Sequence, residues 1–120
     1  RDKLVTGVQT CALPIYYKWQ IEAISNIIKN CIEYSFEFSN IDIRCSSNNV
    51  YTQLEIIDYG DKISDKDIKH IFDRFYKGEN STENSIGIGL ALSKTIIEKN
   101  NGTINVESND NTKFIIKYFK

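Results

Sequence analysis

The stretch Trp19–Ser35, WQIEAISNIIKNCIEYS, decides how the rest of the chain is read. Wound as an α-helix it sorts by angle: Ile24, Ile27, Ile28 and Cys31 fall on one side, and Glu22, Asn26, Asn30 and Glu33 on the other. The apolar side predicts packing against a sheet. The polar side is less ordinary, because Asn is a poor mid-helix residue and two of them stand one turn apart on a single stripe. Two readings stay open at this point. The stripe is a solvated face in an Asn-rich chain, or its amide oxygens are hard, neutral ligands suited to a magnesium ion that also holds phosphate oxygens and waters.

Downstream, Ile41-Asp42-Ile43-Arg44-Cys45 and Val50–Asp58 alternate apolar and polar around a Ser47-Asn48-Asn49 turn, which predicts an antiparallel hairpin. Ser64 is placed to cap a helix with Asp67 as capping-box partner, and Ile68, Ile71, Phe72 and Phe75 give that helix a buried stripe. Gly78–Ser85, GENSTENS, lacks periodicity and reads as a loop. A further helix is expected from about Gly89 to Lys99, stopped by Asn100-Asn101-Gly102. Thr103–Ser108 and Lys113–Phe119 then form a second hairpin. Hairpins and helices segregated in this way predict an α+β, two-layer sandwich with a mixed or antiparallel sheet and helices on one face.

The chain has 120 residues, 41% hydrophobic and 26% charged, with a formal net charge of -1. That suits one domain with a single core. The near-neutral balance gives no electrostatic footprint for nucleic acid or an anionic membrane surface. Cys11, Cys31 and Cys45 have neither metal-ligand nor disulfide-rich spacing, so Cys31 and Cys45 read as reduced and structural. No transmembrane run or secretory segment stands out.

Two loops carry candidate chemistry. Asp58 ends a strand two residues before Gly60, an arrangement that is either turn chemistry or a carboxylate poised to accept a hydrogen bond from an amino group such as that of adenine. Ile86-Gly87-Ile88-Gly89-Leu90 opens a helix with two glycines, which serve either as a hinge for the preceding loop or as a close approach for phosphates at a helix N-terminus. It is neither a dinucleotide-binding fingerprint nor a P-loop, because no strand precedes it and no Gly-Lys-Ser/Thr follows.

Taken in order, Asn26-Ile-Ile-Lys-Asn30, Asp58-Tyr-Gly60, Ile71-Phe-Asp-Arg-Phe75-Tyr-Lys77 and Gly87-Ile-Gly89-Leu90 resemble the N, G1, F and G2 boxes of the catalytic ATP-binding domain of bacterial sensor histidine kinases, members of the GHKL superfamily with the Bergerat fold. The resemblance covers about Tyr16 to Lys120. It implies ATP and Mg2+ as cofactors. Asn30 would bind the metal that bridges the phosphates, and Asn26 would contact phosphate or metal-bound water; these are the implied catalytic residues. Asp58 would accept the adenine amino group, with Gly60 and Ile63 beside the base. Phe75 would anchor a lid running from about Tyr76 to Ser85, Lys77 would reach the phosphates, and Gly87, Gly89 and Leu90 would form the far hinge and the phosphate-facing helix start. Topoisomerase, mismatch-repair and chaperone ATPases of the superfamily carry a Glu one turn before the metal-binding Asn; here that position is Asn26, which cannot take a proton. Phosphoryl transfer to a protein is therefore expected over hydrolysis.

The resemblance further implies a histidine acceptor on a separate dimerisation domain, a response-regulator partner, a homodimeric full-length protein anchored in the bacterial membrane with this domain in the cytoplasm, and no nucleic-acid partner. The sole histidine, His70, lacks the acceptor context and reads as structural or solvated. Departures keep a degenerate nucleotide-binding module in view, and an anti-sigma-factor serine kinase of the same superfamily is a further alternative. Lys62 stands where the G1 box has its second glycine; in a left-handed backbone it would cost about 1–2 kcal/mol. Tyr59 replaces a more usual Asn, and Glu33 a basic contact found in some members.

Val5–Ile15, VTGVQTCALPI, resembles the translation of a widely used sequencing-library adapter. Residues 1–15 are set aside on that ground, native sequence is expected to begin near Tyr16, and Pro14 and Cys11 are expected to carry no structural or redox message. The strand that precedes the long helix in the family is then expected to be missing, leaving a sheet edge unpaired and the domain marginally stable.

Overall fold

The computed structural model describes residues 14–35, 39–60, 62–76 and 89–120. Helix α1 (Pro14–Tyr34) leads into strands β1 (Ile41–Ser47) and β2 (Tyr51–Asp58), a short helix α2 (Asp65–His70), helix α3 (Gly89–Lys99), and strands β3 (Gly102–Ser108) and β4 (Thr112–Phe119). The strands form one wholly antiparallel sheet in the order β1-β2-β4-β3. The two hairpins are joined through β2 and β4, with Ile56 opposite Phe114 and Asp58 opposite Thr112.

Local chemistry makes the turns. Asn48 Oδ1 accepts the N–H groups of Val50 (2.8 Å) and Tyr51 (2.9 Å), which closes the β1–β2 connection. After α3 the chain turns at Asn101, which takes a left-handed φ of 59°; Asn is among the few side chains that tolerate it. Gly102, the next residue, is buried, and a Cβ there would stand 2.8 Å from Ile97 Cγ2 and 2.9 Å from the carbonyl oxygens of Ile97 and Lys117. Only glycine lets the helix end and β4 approach so closely.

The core lies between one face of the sheet and the two long helices. Ala23, Ile27 and Cys31 from α1, Ile96 and Ile97 from α3, and Ile56, Ile104, Phe114 and Ile116 from the sheet form a single cluster. Burying each isoleucine contributes about 1.5–3 kcal/mol. A polar seam runs through it: buried Gln20 donates to the Ile96 carbonyl at 3.4 Å and accepts from the Tyr118 hydroxyl. The helix layer stops short of β1. Ile43 and Cys45 share the face of Ile56 and Leu54, yet Ile43 is 53% exposed and Cys45 is exposed. Among the described residues β1 pairs on one side only, and Asp42 and Arg44 are charges that blunt such an edge.

Three expectations are corrected. Pro14, expected to carry no structural message, is the first residue of α1, where its missing N–H costs nothing. The buried stripe of α1 is turned toward Ala23, leaving Ile24 and Ile28 only half-buried. Helix α2 stops at His70 rather than running to Phe75. Ser64 caps it, its Oγ accepting the Asp67 N–H at 3.1 Å, and Ile71 and Phe72 pack on the core from the turns that follow. Phe75, expected in the buried stripe, has a φ of 64° and is 62% exposed. Val5–Leu13, Cys11, Lys77 and the 78–88 segment with Gly87 lie outside the described residues.

Candidate functional site

Helix α1 presents Asn26 and Asn30 one turn apart, both half-buried, while Glu22 and Glu33 on the same side are exposed. Their partner element is α3. Gln20 meets the Ile96 carbonyl, and Ser93 Oγ donates to the Ala23 carbonyl at 2.8 Å. Three residues forward on α1 thus correspond to three residues back on α3, so the helices run antiparallel. The next turn brings Gly89 and Leu90 level with Asn26 and Ile27.

The first turn of α3 contains no acidic residue to offset the partial positive charge at its start. Among the described residues, a Cβ built on Gly89 would meet nothing within 4 Å. The glycine leaves open space at a helix N-terminus whose first N–H groups have no intrahelical acceptor. Leu90 turns the other way and packs against the core. By that antiparallel register Asn26 stands level with the first turn of α3.

Asp58 closes β2 at the same end of the sheet and is 3% exposed. Its Oδ1 accepts the Gly60 N–H at 3.1 Å. Burial pushes its carboxyl above the ordinary carboxylate value, and the hydrogen bonds from Gly60 and the Cys31 thiol partly offset that push. Burial, then the neighbouring Asp58 charge, drives the Cys31 thiol far up, so it is an inert donor in the floor of the site. A desolvated carboxylate with two protein donors retains unused lone pairs, and those can accept an exocyclic amino group.

The loop after Asp58 is tied down at two points. Tyr59 donates to Asp42 Oδ2 at 2.6 Å, a bond that raises the phenol's pKa. The Ile63 N–H donates to Ser108 Oγ at 2.9 Å, and Ser108 shares a 2.8 Å hydrogen bond with Thr112. Ser108 lies opposite Thr112, and Thr112 opposite Asp58, so one cross-strand rung carries the carboxylate and both hydroxyls on the helix-facing side. Ser108 and Thr112 escaped the sequence reading. Their signal, two buried hydroxyls at the facing ends of a hairpin, emerges only once β2 is known to pair with β4.

Other candidates lie apart from this rung. Phe75 is exposed beneath the Arg74 guanidinium, 5.3 Å from its ring centroid, while Phe72 packs edge-on to Phe114 at 6.5 Å. Lys62 is exposed. His70 is an exposed partner of Asp73 at 2.8 Å. Among the described residues no group of three His, Cys, Asp or Glu side chains could hold a metal, and no helix is long and apolar enough to cross a membrane.

Comparison with known proteins adds the family. Residues 18–120 match the family described as histidine kinase-, DNA gyrase B-, and HSP90-like ATPase. The heme sensor protein HssS of Staphylococcus epidermidis is 39% identical over 98 residues, covering 82% of this chain and 21% of that protein. The sensor histidine kinase YxdK of Bacillus subtilis is 38% identical over 96 residues, covering 76% of this chain and 29% of that protein. The chain thus spans between a fifth and a third of these relatives. In fold it is similar to the mycobacterial sensor histidine kinase MprB (TM-score 0.75, 22% identity, 82% of this chain and 70% of that one). It is likewise similar to the catalytic domain of histidine kinase ThkA (TM-score 0.74, 24% identity, 84% and 66%).

Proposed function

This chain belongs to the family of histidine kinase-, DNA gyrase B- and HSP90-like ATPases, as a catalytic domain of the sensor histidine kinase kind, and we propose that it passes the γ-phosphoryl group of ATP to a histidine on a separate dimerisation domain. The observation that supports the reading is the buried Asp58 carboxylate, tied by the Cys31 thiol to the helix that carries Asn26 and Asn30.

The residues present suit a magnesium nucleotide. Asp58 accepts the adenine amino group, and Gly60 and Ile63 line the base. Asn30 supplies an amide oxygen to the metal, and Asn26 holds a phosphate oxygen or a metal-bound water. Gly89 lets the phosphates approach the first N–H groups of α3. By sequence alone, the resemblance adds Lys77 and Gly87 to the same arrangement. When bound, the nucleotide supplies the phosphoryl group, and the metal neutralises charge as it moves. The chain's own part is positioning and electrostatics. Asn26 withholds a general base from water, which favours transfer over hydrolysis. A response regulator then receives the phosphoryl group, and the longer protein works as a membrane-anchored homodimer with this domain in the cytoplasm.

Calorimetric titration of ATP into the 120-residue chain, with and without magnesium, tests the proposal. Magnesium-dependent binding that Asn30→Ala removes is the expected result. Absence of binding in the parent chain, restored by Lys62→Gly, would instead identify a degenerate module. No binding in any folded variant refutes the nucleotide reading.

A further inference from the structure

Ser108 belongs to none of the motifs in the long helix or the glycine-rich helix start, and nothing in its sequence context sets it apart from any other strand-end serine. Its position in the structure does. It is 5% exposed, and its Oγ accepts the backbone N–H of Ile63, 45 residues away in sequence, at 2.9 Å. The same oxygen is 2.8 Å from Thr112 Oγ1, and Thr112 is 1% exposed. Thr112 in turn stands directly opposite Asp58 in the β2–β4 register. The loop that leaves Asp58 therefore returns to the rung on which Asp58 sits, and Ser108 is the clasp.

We propose that Ser108 is a positioning residue for the nucleotide base, fastening Ile63 to the Asp58 rung so that Ile63 and the carboxylate present themselves to the base as one rigid piece. The inference rests on the nucleotide reading above and extends it to a residue that touches no ligand. Its physical basis is accounting of polar groups. A backbone N–H in a half-buried loop needs an acceptor, and here a buried side-chain hydroxyl supplies it in place of water. Without that acceptor the Ile63 segment must swing out to find solvent, and the wall of the base pocket goes with it. Tyr59 fixes the start of the same loop through Asp42, but on the β1 side, so it does not replace the clasp at Ile63. The phosphate end, built on α1 and α3, shares no hydrogen bond with Ser108 among those described.

The two ends can therefore be separated by experiment. Magnesium–ADP and magnesium–pyrophosphate are titrated calorimetrically into the full chain, Ser108→Ala and Ser108→Thr. Ser108→Ala is expected to weaken ADP binding about ten-fold, equivalent to roughly 1.4 kcal/mol, and to leave pyrophosphate binding unchanged. Ser108→Thr keeps the hydroxyl and is expected to restore ADP affinity, an outcome that a merely structural serine would not require. Equal ADP binding by the parent and Ser108→Ala overturns the proposal while leaving the nucleotide reading intact; failure of the parent to bind ADP removes both. Amide exchange at Ile63 in the unaltered chain gives a reading that does not depend on any variant folding. Protection well above that of a solvated loop amide is expected, and exchange at the free-loop rate overturns the clasp.

Discussion

Asp58→Asn separates what this carboxylate does for binding from what it does to stability, and the two effects have opposite signs. The replacement keeps the shape and an acceptor for the Gly60 N–H, now 3.1 Å from Oδ1, but removes the charge. A hydrogen bond from the adenine amino group to a buried carboxylate is charge-assisted, and losing it costs about 1.5–3 kcal/mol, roughly ten- to 150-fold in Kd. Stability moves the other way. Burial raises the native pKa of Asp58 above the ordinary value of 3.8, so the folded chain holds this proton more tightly than the unfolded one. The stabilising contribution is complete below the unfolded value and is lost as pH rises through the folded one. Asparagine is neutral throughout and escapes that loss. Urea denaturation of both proteins from about pH 4 to about pH 7 should show the variant's relative stability growing with pH. ADP titration of the same samples should show weakened binding. A variant less stable than the parent near neutrality, or one binding ADP within about three-fold of it, would refute the argument that a desolvated carboxylate reads the base.

Three further outcomes follow from the packing. Gly102→Ala drives a methyl group into two backbone carbonyls and should cost about 1–3 kcal/mol by urea denaturation; a loss under about 0.5 kcal/mol would show that the helix end and β4 can separate cheaply. Gln20→Leu and Tyr118→Phe each orphan a buried partner and should destabilise by about 1–3 kcal/mol. The double variant should lose less than the sum of the two, and strict additivity in the cycle would deny the bond. Ser64→Ala removes the cap of α2 and should cost about 1 kcal/mol, read as a lowered thermal midpoint with no change in pyrophosphate binding.

Much of this architecture is written in short-range pattern. The helical period of Ile27 and Cys31, the alternation through Leu54 and Ile56, the Ser64 cap and the Asn100-Asn101-Gly102 stop all act within a few residues, so the sequence carries them directly. The paired asparagines were conspicuous because mid-helix Asn is unfavourable on its own terms. What stayed hidden depends on contacts between distant segments. The end of α2 is one case: periodicity continues to Phe75, but the backbone leaves the helix after His70 and a left-handed φ at Phe75 points the ring to solvent. The Asp58–Thr112–Ser108 rung is another, because it requires β2 to pair with β4, and the hairpin signals specify only the partners nearest in sequence. Pro14 was set aside for its origin, although a helix start is where a proline fits.

The turn that ends α3 also sets how the molecule ages. Asn101-Gly102 is the dipeptide in which the following backbone nitrogen attacks the side-chain amide most readily, expelling ammonia and, after hydrolysis, leaving isoaspartate with one extra main-chain carbon; asparagine is among the heat-labile residues for this reason. Asn101 is exposed, while Gly102 is wedged where even a methyl group has no room. The inserted carbon would lengthen the chain at its least forgiving point, between helix α3 and the strand that carries Ser108. Chemical wear at this turn would therefore loosen the packing of α3 on the sheet, and storage history becomes a variable in the stability of this protein.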